Sequence, residues 1–139
     1  MENNLYDINI NGTEYQLRFT LQAIDYLDSQ YTTKFEGFDF GMGVLYSVSY
    51  LESGNPVALF RIIKAGLLHL NNFAPTDEAI ENQIVNWATN NQLEGMFEKL
   101  GKCLRNSPLT KGTLQKTQEK PLNKNKNKNK NKNKNKNKK

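Results

Sequence analysis

From Tyr6 to Phe19 apolar and polar residues alternate, and only Asn11-Gly12 interrupts them. Asn-Gly is the dipeptide favoured by two-residue type I′ turns, whose central residues both need positive φ. Such a turn sets Ile10 opposite Thr13, Ile8 opposite Tyr15 and Tyr6 opposite Leu17. Tyr6, Ile8 and Ile10 then share a face with Tyr15, Leu17 and Phe19, while Asp7, Asn9, Glu14, Gln16 and Arg18 take the other. The period changes at Thr20, an N-cap for a helix with apolar positions Leu21, Ile24, Leu27 and Tyr31. A hairpin with one apolar face that runs straight into an amphipathic helix needs further elements to cover it.

Those elements read as helices. TTKFEGFDF forms an aromatic connector, and a second helix is expected from Asp39 or Phe40 to Glu52, with Gly41 and Gly43 weakening its first turn. Ser53-Gly54 stops it. Asn55 as N-cap with Pro56 in the first turn starts a third helix to about Leu70, apolar nearly all round except at Arg61 and Lys64. Such a helix is either the central one of its domain or faces both the core and a partner. Thr76 caps a fourth helix whose stripe is Ile80, Ile84 and Trp87, with acids in its first turn. A fifth, from about Asn91 to Arg105, aligns Leu93, Met96, Phe97, Leu100 and Leu104. The expected class is α+β: an N-terminal β-hairpin, a bundle of about five helices and a disordered C-terminal tail.

Charge divides the chain in two. Residues 123–139 are an Asn-Lys repeat with nine lysines and no acid, so the net +5 belongs to them. The remainder has ten basic and fourteen acidic residues, a formal charge of −4. The repeat has no apolar side chain to offset a backbone ordering cost of about 1–2 kcal/mol per residue. The composition of 107–122 is already linker-like. The organisation expected is a folded domain over 4–106, a linker over 107–122 and the repeat over 123–139. A single cysteine, Cys103, argues against a disulfide framework and for a reducing compartment. Met1–Asn4 has neither the basic nor the apolar region of a signal peptide, and Arg61 and Lys64 break the longest apolar stretch well short of a membrane span. A soluble intracellular protein is expected, with no membrane partner.

Candidate chemistry is sparse. His69 is the sole histidine, near a helix end where capping carbonyls suits it better than ligation or general-base work. Cys103 falls beside the apolar stripe of the last helix, as a small buried hydrophobe. Gly41-Met42-Gly43 lacks the third glycine and the preceding strand of a phosphate loop. No catalytic set, cofactor site or metal site is expected. Phe35, Phe38, Phe40, Tyr46 and Tyr50 either pack the core or leave a subset exposed as anchors for another protein. Taken with the third helix, this cluster points to work done by binding. The candidate protein-binding residues are Phe38, Phe40, Tyr46, Tyr50, Val57, Leu59 and Ile62.

The order of elements carried by INGTEYQLRFTLQAIDYLDSQY, GMGVLYSVSYLESGNP, APTDEAIENQIVNWATNN and LEGMFEKLGKCL resembles the tail assembly chaperones of long-tailed bacteriophages and prophages. The resemblance covers about residues 5–106. It implies a non-enzymatic protein that holds the hydrophobic tape measure protein soluble in the host bacterial cytoplasm. It also implies homo-oligomers on that client, help in recruiting tail tube protein, and absence from the mature virion. A longer product made by ribosomal frameshifting is common in the family, and slippage at the Lys-Asn codons competes here with simple expansion of a DNA repeat. The alternative class is a small nucleic-acid-associated protein using the lysine repeat as a sequence-blind electrostatic arm. The acidic domain and the lack of a recognition-helix motif weigh against it, which leaves nucleic acid as a non-specific partner of the tail.

Overall fold

The computed structural model describes residues 4–35 and 38–115, with the backbone alone for 32–35 and 38–41. Its first element is the expected hairpin. Strands β1 (Asp7–Ile10) and β2 (Thr13–Gln16) pair antiparallel with Ile10 opposite Thr13 and Ile8 opposite Tyr15. Asn11 and Gly12 have φ of 52° and 90°, as the turn demands. The Leu17 amide donates to the Tyr6 carbonyl at 2.8 Å and so continues the register. Ile8, Ile10, Leu17 and Phe19 are buried. The Asn11 amide donates to Oε1 of Gln83 at 2.8 Å and pins the turn to a later helix.

Helix α1 (Leu21–Gln30) starts where Thr20 Oγ1 accepts from the Ala23 amide at 3.1 Å. Its buried residues are Ala23 and Leu27, with Tyr31 at its end, whereas Leu21 is 72% exposed. Leu21 is the first helical residue, and within this first turn Ala23 takes the inward position instead.

The connector departs from expectation. Strands β3 (Thr32–Phe35) and β4 (Phe38–Gly41) form a second antiparallel pair, with Thr32 opposite Gly41. A strand therefore does precede Gly41-Met42-Gly43, and helix α2 begins only at Gly43, running to Glu52. Gly43 does not weaken that start; it permits it. A Cβ there would lie 2.3 Å from the backbone of Leu27 and Asp28, so only glycine lets α2 begin against α1. The Asp28 carboxylate accepts from the Gly43 amide at 2.8 Å and places its charge at the positive end of α2.

Helix α3 (Pro56–Gly66) is capped by Asn55 Oδ1, which accepts from the Val57 amide at 2.9 Å. It is the central helix, packed against α1, α2, helix α4 (Asp77–Thr89) and helix α5 (Leu93–Asn106). It ends at Gly66, short of Leu70, because the Gly66 carbonyl accepts from the Arg18 amide at 2.8 Å and a side chain there would meet Leu17 Cδ2 at 2.7 Å. A 3-10 segment, Leu68–Phe73, follows. Thr76 caps α4 through Ala79, and Ile80, Ile84 and Trp87 are buried as their spacing predicts. Asn91, at φ 58°, turns the chain into α5, which starts at Leu93.

The expected linker does not begin at Ser107. Residues 108–115 are helical (α6), and Ser107, Thr110 and Leu114 are buried. Pro108 opens this helix: its fixed φ suits the first turn, and its missing N–H forfeits nothing there. The Ser107 hydroxyl donates to the Cys103 carbonyl at 2.7 Å, the Thr110 hydroxyl donates to the Leu104 carbonyl, and the Lys111 amide donates to the Ser107 carbonyl at 2.9 Å. The described residues thus comprise the N-terminal hairpin, a second strand pair, and seven helical segments counting the 3-10 turn and α6. The Asn-Lys repeat lies outside them.

Candidate protein-binding surface

Helix α3 buries Ala58, Leu59, Ile62, Ile63, Ala65 and Gly66, and turns one stripe outward, made of Val57, Phe60, Arg61 and Lys64. Their spacing of three and four residues is that of a single helix face. On one flank stand tyrosines of α1 and α2. Tyr31 contacts Tyr46 edge-on with ring centroids 6.1 Å apart, and Tyr50 at 5.3 Å; Tyr46 and Tyr50 lie 6.5 Å apart with their planes inclined by 30°. The Arg61 guanidinium covers the Tyr31 ring at 4.8 Å. Lys64 lies 6.0 Å from the Tyr26 ring and 5.9 Å from Phe60, and pairs with Asp77 of α4 at 3.0 Å. Burial raises the Tyr26 phenol above its usual pKa, against the smaller opposing pull of Lys64 and Arg61.

This face has the composition of a protein-recognition surface. Tyrosine and arginine are among the residues that most often carry binding energy, tyrosine through a large, stiff ring with a polar tip and arginine through a planar charged group that stacks on aromatic faces. Tyr46 and Tyr50 are exposed, while Tyr31 beneath them is buried and its hydroxyl has no hydrogen-bond partner among the described residues.

The groups with most chemical potential are otherwise engaged. His69 Nε2 lies 2.8 Å from the Gln16 carbonyl, joining the 3-10 segment to the end of β2. Cys103 is buried, donates to the Leu5 carbonyl at 3.4 Å, and has its thiol pKa pushed up to about 11 by burial. Among the described residues no group of three or more His, Cys, Asp or Glu could hold a metal ion, and no helix is long and apolar enough to cross a membrane. A cavity of about 510 Å³ between α2 and α5 brings together Glu52, Glu94 and Glu98, and Arg105 reaches across Gly101 to Glu52 at 2.9 Å.

The family described as phage tail assembly chaperone protein, TAC, matches residues 7–119 of the chain. The chain belongs to the phage tail assembly chaperones. No curated protein and no solved structure matches it. The matched segment takes in α6 and stops before the lysine repeat.

Of the residues that the sequence singled out in this tail assembly chaperone, Tyr46, Tyr50 and Val57 are on the surface, 36%, 40% and 48% exposed. Leu59 and Ile62 are not; both are fully buried in the core. They stand on the side of α3 opposite Arg61 and Lys64, so the two charges themselves marked these positions as inward. The side chains of Phe38 and Phe40 lie outside the described part of the structure. Two members of the face went unpredicted. By pattern alone Arg61 is a solvated position and Tyr31 the last residue of an apolar stripe. The spacing of Arg61 from Val57 on one helix face was the available signal.

Proposed function

We propose that this tail assembly chaperone is non-enzymatic and binds the tape measure protein of its phage through the face built from Tyr31, Tyr46, Tyr50 and Arg61. The observation that carries the reading is that cluster: two exposed tyrosines resting edge-on and tilted against a buried third, whose ring is covered by an arginine. A tape measure protein presents long apolar helical stripes until the tube encloses it, and exposed stripes of that size aggregate. Tyrosine rings cover them, and many weak sites along one client add by avidity. Weak sites also release without ATP, since growing tube displaces them, which lets the chaperone bring tail tube protein to the client and leave before the virion is complete. The site of action is the host cytoplasm.

Co-expression of the chaperone with its tape measure protein tests this. The wild-type chain keeps the client in the soluble fraction, and Tyr46→Ala with Tyr50→Ala lowers that fraction about fivefold or more while the chaperone stays folded. Full client solubility with the double variant overturns the assignment of the face.

A further inference from the structure

The cavity of about 510 Å³ between α2 and α5 has an apolar floor, Val48 and Leu51 of α2 with Phe97 of α5, and an acidic rim. Glu52, Glu94 and Glu98 stand exposed along that rim, and Arg105 is the one cation lining it, so three negative charges face one positive. Arg105 pairs with Glu52 at 2.9 Å, and among the described residues Glu94 and Glu98 form no ion pair. Several other acids are engaged: Asp28 accepts from the Gly43 amide, Asp77 from Lys64 and Asp7 from the Asn4 amide. The groove is also separate from the proposed client face. Val48 and Glu52 follow Tyr46 and Tyr50 by two residues, about 200° round α2, so the two surfaces lie on opposite sides of that helix.

An apolar floor with carboxylates along its edge suits lysine. The aliphatic stem covers the floor while the ammonium stays hydrated at the rim, which avoids the desolvation cost of a buried charge. Residues 123–139 supply nine lysines and no acid, against a remainder of −4. In an extended chain, side chains two apart share a side at about 6.4–6.8 Å, and in this repeat they are all lysines. Glu94 and Glu98, one turn apart on α5, are separated by about 6 Å along its axis. The chain also reaches. Gln115 lies no more than about 26 Å from Glu98, measured along α6 and α5. The nine residues to Lys124 extend to about 30 Å, and eight more lysines follow.

We infer that the Asn-Lys repeat docks in the α2–α5 groove of its own chain, with lysine stems on Val48, Leu51 and Phe97 and ammonium groups against Glu94, Glu98 and Glu52. Attachment to the same chain sets a high effective concentration, so individually weak exposed pairs suffice at low salt. Screening loosens them as ionic strength rises. While docked, the repeat is withheld from the phosphates of nucleic acid, which nine lysines otherwise attract without regard to sequence. The groove is thus a built-in competitor for polyanions.

Paramagnetic broadening in the full chain tests this. Asn131→Cys places a nitroxide in the repeat without removing a lysine, and Cys103 is buried. At about 0.01 M salt, where the Debye length is about 30 Å, the label broadens the amide signals of Glu52, Glu94, Glu98 and Gly101 more than those of Asp77, Glu78 and Glu81. At about 1 M salt it broadens neither set. Glu94→Gln with Glu98→Gln lowers the broadening about fivefold, and Glu78→Gln with Glu81→Gln, an equal change of net charge, leaves it. All four glutamates are exposed, and unchanged melting temperatures show that both proteins remain folded. At low salt a single-stranded DNA oligonucleotide binds the Glu94→Gln, Glu98→Gln protein about fivefold more tightly than the Glu78→Gln, Glu81→Gln protein. Broadening spread evenly over the acidic surface, broadening indifferent to Glu94→Gln with Glu98→Gln, or none at low salt overturns the inference. So does equal broadening of an isotope-labelled chain by a separate spin-labelled copy, which would place the repeat on a second molecule. Equal DNA affinities of the two proteins overturn the competition with nucleic acid.

Discussion

The guanidinium carbon of Arg61 lies 4.8 Å from the ring centroid of Tyr31, so the exposed stripe of α3 is fastened to the C-terminal end of α1 by a cation and an aromatic face. Tyr31 in turn supports Tyr46 and Tyr50. One arginine thereby organises three rings contributed by two other elements.

Arg61→Ala is expected to lower stability by about 0.5–1 kcal/mol, the usual worth of such a pair near a surface. Arg61→Lys recovers part of this, since an ammonium keeps the charge without the flat stacking surface. Urea unfolding of the two variants measures it. Equal losses in both would show that the guanidinium plane, not the charge, is what matters.

Leu59 and Val57 are two residues apart on α3 and predict opposite outcomes. Leu59→Ala opens a cavity in the centre of the core and is expected to cost about 2–5 kcal/mol. Val57→Ala removes half-exposed methyl groups and should change stability by no more than about 0.5 kcal/mol. Chemical denaturation of both decides between core and surface placement.

Gly43 and Gly95 offer a second contrast. A methyl group at Gly43 would meet α1 backbone at 2.3 Å, whereas nothing lies within 4 Å of one at Gly95. Gly43→Ala forces the helices apart and is expected to cost about 1–3 kcal/mol or more. Gly95→Ala, inside α5, should stabilise by roughly 0.5–1 kcal/mol through helix propensity. Thermal melts of the pair report the sign directly.

These contrasts also show how far the sequence could be read. The first hairpin and the starts of three helices were legible because their signals are local: alternation around Asn11-Gly12, and the caps Thr20, Asn55 and Thr76. The second strand pair was missed although Thr32–Phe35 and Phe38–Gly41 repeat the four-two-four spacing of the first. Phe35, Phe38 and Phe40 do not alternate with polar residues as residues 6–19 do, and no Asn-Gly marks the turn between them. Gly43 was misread because its reason is a contact with α1, fifteen residues away in the chain, that no local pattern announces. For the proposed binding face, composition singles out Tyr46, Tyr50 and Val57, and the structure leaves all three exposed. Leu59 and Ile62 were included because hydrophobicity alone, without the phase set by Arg61 and Lys64, does not separate the two sides of α3.

Burial lifts the Cys103 thiol to about 11 from an ordinary 9.0, with the charge of Lys99 opposing more weakly. The unfolded chain loses that proton first. The stability owed to the buried neutral thiol is therefore complete below pH 9 and is lost as pH rises towards 11. The rise from 9.0 to about 11 sets an upper limit of about 2–3 kcal/mol. Cys103→Ala removes the effect, so the stability gap between wild type and this variant should narrow across that window in pH-dependent urea titrations. A constant gap would mean that the thiol titrates alike in both states.

The boundary at Ser107 separates two truncations. Ending the chain at Asn106 strips away buried Ser107, Thr110 and Leu114, leaves the Cys103 and Leu104 carbonyls without the hydroxyls that donate to them, and uncovers the end of α5. Unmade hydrogen bonds at buried acceptors cost about 1–3 kcal/mol each, and losing Leu114 adds the burial of a leucine side chain, about 1.5–3 kcal/mol. A chain of 4–106 is therefore expected to unfold well below the full-length protein or to populate an open α5. Removing Pro121–Lys139 takes away Leu122 as its sole apolar side chain together with the nine repeat lysines. Its melting midpoint should stay within a few degrees of the full chain in moderate salt, where screening weakens any attraction between the lysines and the acidic domain. Calorimetry of both truncations is decisive. A large drop for the second would place part of the fold's stability in the repeat, and no drop for the first would make α6 an appendage rather than part of the core.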